Sequence, residues 1–147
     1  MTTKTKADIL RQIQDARAAL RKLVDAIPAS RLEQPGAEGT WSARDVLGHI
    51  ATWDAESVNR VRRFVDGGKP DASPSDFNER EVQSQRKLAT KAVQDLFAKN
   101  YEQAMAYLRG LPAEALQRPE VEKQIMGCMA HHYQEHAEHL QQWLAKS

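Results

Sequence analysis

The chain has 147 residues, a length that predicts one domain, residues 1–147, with a core that needs no disulfides. Its 21 basic and 20 acidic residues are interspersed and leave a net charge of +1, which argues against a nucleic-acid partner. The single cysteine cannot form an internal disulfide, and no apolar stretch has the length of a signal peptide or a membrane span. A cytoplasmic protein without membrane contact is expected.

Helical periodicity runs along the chain without strand alternation, so the fold class is all-α. Helix one is predicted over residues 6–27, where apolar residues recur three and four apart until Pro28 ends it. Helix two begins at Ser42, an N-cap with Asp45 at the third helical position, and ends at a Gly-Gly pair. Residues 67–75, with two prolines and two glycines, form the longest predicted loop.

Helix three is predicted from about Asp76 to Gly110, with Leu88 on its apolar stripe. Within it, Thr90 marks a kink or a fresh cap. Helix four follows over residues 121–144. Four helices with a long connection between the second and the third predict a four-helix bundle.

Histidines are concentrated in helix four, and two of them are spaced for metal binding. His132 and His136 lie one turn apart on the apolar stripe, where two imidazoles can bind one ion. His49 lies on the apolar side of helix two and is a candidate third ligand. Three buried imidazoles without partners are unfavourable, whereas three that share an ion are not. A set of buried or partly exposed histidines without a metal is the competing interpretation.

Helix geometry limits the other candidates. Cys128 is separated from His136 by about 12 Å of helix rise, too far to share an ion with both histidines, and is interpreted as a small apolar core residue. The same distance argument removes His139 from the candidate ligands, since it lies almost two turns beyond His132. His131 points away from the apolar stripe and is expected to be exposed to solvent. The string HYQEH at residues 132–136 matches the inverted zinc-protease motif, but too little chain follows it for the downstream acidic ligand. Glu-x-x-His pairs of a di-iron bundle do not occur.

Three segments together resemble the DinB/DfsB-like family of four-helix bundles, also described as DinB/YfiT-like metalloenzymes. They are TWSARDVLGHIATW at residues 40–53, HYQEH at 132–136, and DFN at 76–78, a shortened form of the family's Asp-x-x-Asn-like element. The resemblance covers nearly the whole chain. It implies an up-down-down-up bundle, a homodimer, and a divalent ion (nickel, zinc or iron) held by His49, His132 and His136.

Relatives in this family include thiol transferases that use bacillithiol, mycothiol or related thiols, and self-resistance proteins that hydrolyse a reactive natural product. The resemblance therefore implies a metal-dependent transferase or hydrolase that acts on a small electrophilic compound in detoxification or stress. A low-molecular-weight thiol is the implied second cofactor of a transferase. The alternative is a non-catalytic, metal-stabilised dimer that binds or sequesters a ligand, so enzymatic activity stays open at this point.

Four residues are candidates for binding the substrate: Trp53, Phe77, Asn78 and Met129. Asn78 is the one best able to orient a substrate by hydrogen bonding. Ordinary structural roles compete with this interpretation, because Trp53 and Met129 have the spacing of core residues and Asn78 can stabilise the first turn of helix three. Glu56 and Glu135 are candidate proton acceptors.

Overall fold

The computed structural model describes residues 4–146. It contains helices α1 (Lys6–Asp25), α2 (Ala43–Val65), α3 (Phe77–Gln85), α4 (Thr90–Gly110), α5 (Ala113–Leu116), α6 (Pro119–Ile125) and α7 (His131–Ala145). A 3-10 turn at Ala29–Arg31 follows α1, and a π-helical segment, Met126–Ala130, joins α6 to α7. None of these described residues forms a β-strand, so the all-α prediction is confirmed. No helix in this part of the chain is long and apolar enough to cross a membrane.

The direction of the second and third long helices follows from their contacts. The side-chain amide of Asn100 on α4 donates to the carbonyl of Ala51 on α2, at 3.0 Å. Further along both helices, the Arg62 guanidinium lies 4.8 Å from the centre of the Tyr107 ring. Because both positions advance together along the two helices, α2 and α4 are parallel, as the long connection between them requires.

The first helix runs in the opposite direction to α4. Lys6 Nζ, at the start of α1, donates to the carbonyl of Arg109 at 2.6 Å, near the end of α4. Arg17, further along α1, donates to the carbonyl of Phe97, which lies earlier in α4. The segment from α6 to α7 runs against α2, because His136 meets His49, whereas Tyr133, earlier in the segment, donates to Asp54, later in α2. The bundle therefore has the predicted up-down-down-up order.

The predicted start of helix two is confirmed in detail. The Asp45 backbone amide donates to Ser42 Oγ, and the Ser42 amide donates to the Asp45 carboxylate, both at 3.1 Å. This capping box satisfies two backbone donors that a helix start would otherwise leave unpaired. The capping box fixes the first turn of α2, and His49 follows Ser42 by two turns on the same helix.

The prediction of a single helix over residues 76–110 is wrong, whereas the kink or fresh cap predicted at Thr90 agrees with the start of a new helix there. The chain leaves helical geometry after Gln85, and a new helix begins at Thr90 with Ala89 as its N-cap residue. Leu88, predicted on the apolar stripe, lies in this break and is 40% exposed. Arg44 of α2 donates to the backbone carbonyls of Gln85 and Leu88. The guanidinium thus supplies the donors that the interrupted helix no longer provides, and it anchors the break against α2.

The last helical stretch extends over residues 119–145, close to the predicted 121–144. The π-helical segment inside it was not predicted. A π turn contains more residues than an α turn and changes the angular position of everything that follows it. Met129 and Ala130, at the end of this segment, are buried in the core immediately before α7.

Candidate metal centre

Three imidazole rings meet between α2 and α7. Nε2 of His132 lies 3.0 Å from Nε2 of His49 and 2.9 Å from Nε2 of His136. His49 comes from α2, whereas His132 and His136 are one turn apart on α7. The two helices bring together the three histidines that the sequence indicated, and the potential ligand atoms lie within 4.8 Å of one another.

Burial keeps two of these imidazoles, those of His49 and His132, neutral at pH 7. His49 and His136 are 7% and 6% exposed, and His132 is partly buried. Burial, with the neighbouring His136, lowers the pKa of His49 to about 4 and that of His132 to about 3. At neutral pH the rings of His49 and His132 therefore each retain a nitrogen lone pair, the form of histidine that binds a metal.

Glu38 is the residue at this centre that the sequence analysis missed. Its Oε1 accepts a hydrogen bond from Nδ1 of His136 at 2.6 Å and one from Nδ1 of His139 at 2.9 Å. Burial raises the pKa of the Glu38 carboxyl, but the hydrogen bonds and charges of the two histidines outweigh it and lower the pKa overall. A carboxylate thus lies directly behind one of the three converging rings.

The donor set suits a divalent cation. A histidine nitrogen lies about 2.0–2.1 Å from zinc, so two such nitrogens lie about 2.9–3.4 Å apart at right to tetrahedral angles. The distances of 2.9 and 3.0 Å between the Nε2 atoms fall in this range. Without a cation, the Nε2 atom of His132 faces two other ring nitrogens but carries at most one proton. Protons alone cannot satisfy all three nitrogens, and one shared cation can.

The other candidates from helix four are placed as follows. His131 is exposed, as expected, and His139 contacts Glu38 rather than the three converging nitrogens. Cys128 is half-buried, with Sγ 2.9 Å from the side-chain nitrogen of Gln124. Burial raises the pKa of the Cys128 thiol, which keeps it protonated at neutral pH. This placement agrees with a structural cysteine.

Three of the four candidate substrate residues form one contact group. The Trp53 indole Nε1 donates to Asn78 Oδ1 at 2.7 Å, and the Trp53 and Phe77 rings meet edge to face with centres 5.6 Å apart. Trp53 lies one turn after His49 on α2, so the group adjoins the candidate metal centre. Met129 is instead fully buried in the core. A role in substrate binding stays a prediction for all four.

Two cavities lie near these residues. One of about 650 Å³ is bounded by the second half of α2 and the segment before α3, and Phe77 and Glu56 line it. Another of about 330 Å³ lies on the outer side of Glu38 and His139. Of the two proposed proton acceptors, Glu56 lies 3.6 Å from Arg60 Nε and Glu135 is exposed.

The fold and the histidine cluster define an all-α bundle protein with a candidate metal centre between its second and last long helices. More particularly, the family model described as the DinB superfamily matches residues 12–143, so the chain belongs to the DinB superfamily. No curated protein matches the chain. The resemblance inferred from the sequence motifs is confirmed.

Solved structures share the fold at low sequence identity. The colibactin self-resistance protein ClbS, in complex with double-stranded DNA, is 14% identical with a TM-score of 0.84, and the match covers 100% of this chain and 99% of ClbS. DfsB, described as a sibling lethal factor precursor, is 14% identical with a TM-score of 0.81, over 99% and 98% of the two chains. An uncharacterised protein from Escherichia coli UTI89 is 16% identical with a TM-score of 0.82, over 97% and 94%.

The ClbS complex contradicts our expectation that the chain has no nucleic-acid partner. That expectation rested on balanced net charge, yet a protein of this fold has been crystallised with duplex DNA. Net charge sums over the whole surface, whereas contact with phosphates depends on the local arrangement of cationic side chains. The expected homodimer stays a prediction.

Proposed function

We propose that His49, His132 and His136 bind one divalent cation, and that the protein is a metal-dependent transferase or hydrolase acting on a small electrophilic compound. The observation that carries the proposal is the convergence of three imidazole nitrogens at 2.9 and 3.0 Å. When bound, a divalent ion with three imidazole ligands retains open coordination positions and lowers the pKa of a water or thiol. Nickel, zinc and iron all suit these ligands.

The surrounding residues are proposed to hold the substrate rather than the ion. The paired Trp53 and Phe77 rings provide an apolar wall beside His49, and Asn78 is fixed by its bond from the indole. The amide group of Asn78 lies on the exposed side of α3 and can donate to a substrate oxygen while its own oxygen is held by Trp53. In a transferase, a low-molecular-weight thiol would supply the second reactant.

The test of the metal centre is elemental analysis of protein purified without a histidine tag, followed by zinc and nickel titration. We expect one equivalent of metal in the wild type and none in His49→Ala. The matched control is His131→Ala, because His131 is exposed on the same helix next to His132. Retention of stoichiometric metal in His49→Ala, or its loss in His131→Ala, would contradict the assignment.

Catalysis is tested separately by incubating the metal-loaded protein with a panel of electrophiles, with and without bacillithiol or mycothiol. We expect conjugation or hydrolysis that disappears on chelation and returns when metal is added back. Turnover that survives chelation would contradict a metal-dependent reaction. Metal binding and ligand binding without turnover on any compound would favour the sequestration alternative.

Duplex DNA is a second candidate partner, favoured by the ClbS complex. Arg62 and Arg63 are adjacent and exposed near the end of α2, where they line the larger cavity. Binding of a fluorescent duplex, followed by anisotropy, should weaken with salt and in Arg62→Ala/Arg63→Ala. No anisotropy change at low salt would remove this candidate.

A further inference from the structure

The turn that carries Glu38 has a fixed backbone. The Trp41 amide donates to the Glu38 carbonyl at 2.8 Å, and the Ala37 amide donates to the Trp41 carbonyl at 2.8 Å. Gly36 and Gly39 flank Glu38 with φ of +101° and +56°, in the left-handed region that other residues avoid. The turn therefore holds the Glu38 backbone in a defined place although it lies outside any helix.

The Glu38 side chain points from this turn into the space between two histidines of α7. Its exposed fraction is 13%, and a single oxygen, Oε1, accepts from Nδ1 of both His136 and His139. A neutral imidazole carries one proton. When that proton lies on Nδ1 of His136, facing the carboxylate, the lone pair lies on Nε2, which faces His132 and His49.

We propose that Glu38 is a positioning residue that holds His136 in the Nδ1-protonated form and fixes its ring, so that Nε2 is presented to a cation. This inference rests on the proposed metal site. Among residues 4–146, His136 is the one histidine of the cluster whose Nδ1, the nitrogen facing away from the other two rings, has a carboxylate partner. In contrast, Nδ1 of His132 is buried without a hydrogen-bond partner. Carboxylate partners of this kind raise the basicity of a histidine ligand and orient it.

His139 has a supporting role in this arrangement. It lies three residues after His136 on α7, is 45% exposed at its side chain, and donates to the same Glu38 oxygen. A second donor on the same oxygen limits the freedom of the carboxylate. The same turn also contacts the ligand on α2, because the Trp41 ring centre lies 5.0 Å from that of His49. One turn thus contacts histidines on both ligand-bearing helices.

The test compares zinc affinity in Glu38→Gln and Glu38→Ala with the wild type, by competition with a chromogenic chelator. Removal of an outer-sphere partner typically weakens metal affinity by about 10–100-fold. We expect the larger loss in Glu38→Ala and a smaller loss in Glu38→Gln, because the amide oxygen still accepts a hydrogen bond. His139→Asn should weaken zinc binding by less than either. Glu33→Gln is the matched control, since Glu33 is exposed in the same connection and carries the same charge.

A second readout does not depend on the variants. Nitrogen-15 NMR of histidine-labelled, zinc-loaded wild type should show His136 protonated at Nδ1 and bound through Nε2. A wild type that binds no zinc would overturn the proposed metal site itself. Zinc binding with unchanged affinity in both Glu38 variants, or ligation of His136 through Nδ1, would overturn the role of Glu38 and leave the metal site standing.

Discussion

Asp54 provides a prediction about pH and stability, because it is a fully buried carboxyl in the middle of the bundle. It is 0% exposed, with Oδ2 3.0 Å from Arg17 Nη1 and Oδ1 accepting from the Tyr133 hydroxyl at 2.5 Å. Burial raises its pKa from 3.8 to about 6, although the charge of Arg17 and the hydrogen bond from Tyr133 oppose this shift. The carboxyl is ionised at pH 7 and protonated at pH 4.

The sign and size of the effect follow from linkage. Between the unfolded pKa of 3.8 and the folded pKa of about 6, the folded state binds more protons, so the free energy of unfolding decreases as pH rises. Two pKa units at 1.36 kcal/mol each, with pH 4 close to the unfolded pKa, give a loss of about 2.5 kcal/mol between pH 4 and pH 7. In Asp54→Asn the side chain has the same shape and does not titrate. We therefore expect the free energy of unfolding of the variant to gain about 2.5 kcal/mol relative to that of the wild type over this range.

The measurement is urea unfolding followed by circular dichroism at pH 4, 5, 6 and 7, with a chelator present. Asp15→Asn, an exposed substitution on α1, is the control and should show no such pH-dependent difference. Loss of the ion pair with Arg17 has the opposite effect on the stability of Asp54→Asn, because removal of one partner from a buried ion pair commonly costs about 3–5 kcal/mol. If the wild type gains stability over Asp54→Asn as pH rises, attraction to Arg17 exceeds the cost of burial and the reasoning is refuted.

Three further outcomes are expected. Zinc at one hundred times its dissociation constant should add about 2.7 kcal/mol to the free energy of unfolding of the wild type and raise its Tm by roughly 5–10 °C in scanning fluorimetry. The Tm of His49→Ala should not rise, and equal shifts in the wild type and this variant would place the metal elsewhere. Gly48→Ala would put a Cβ 2.2 Å from Gln85 Oε1, so the Gln85 side chain must rotate and lose its hydrogen bond to Thr52. The lost hydrogen bond and the gain in helix propensity are opposed and are each about 1 kcal/mol, so urea unfolding should show a net change in the free energy of unfolding below about 1 kcal/mol. Arg44→Ala should speed hydrogen exchange across residues 77–89, since the carbonyls of Gln85 and Leu88 lose their donor, and unchanged exchange would show that the guanidinium does not hold the break.

The helices and the histidine cluster could be predicted because both depend on periodicity. A histidine at a core position of an amphipathic helix must face the other helices, and His49, His132 and His136 all occupy such positions. Facing helices then bring the rings together without knowledge of the exact packing. Helix spacing removed His139 from the ligand set, but it could not show that His139 contacts Glu38, because helix spacing gives distances along one helix and not contacts made through another segment.

The break in the third helix was predicted only in part, as a kink or fresh cap at Thr90, because much of its cause is not local. The stripe continues with helical spacing through Leu88, and no proline or glycine interrupts residues 77–89. The carbonyls freed at the break are satisfied by Arg44, which lies on another helix and more than forty residues earlier. A donor supplied from so far away in the chain leaves no sign in the local pattern.

Glu38 and Asp54 show why charged residues with partners on other segments cannot be identified from hydrophobic periodicity. Glu38 lies on a turn, where hydrophobic spacing predicts nothing, and its approach to His136 depends on two glycines in left-handed conformations. Asp54 lies on the buried face of α2, where an acidic residue interrupts the apolar pattern. It is stabilised there because Arg17 and Tyr133, from two other helices, reach the same carboxyl. Both carboxylates are defined by partners from other segments, and only the packed structure identifies those partners.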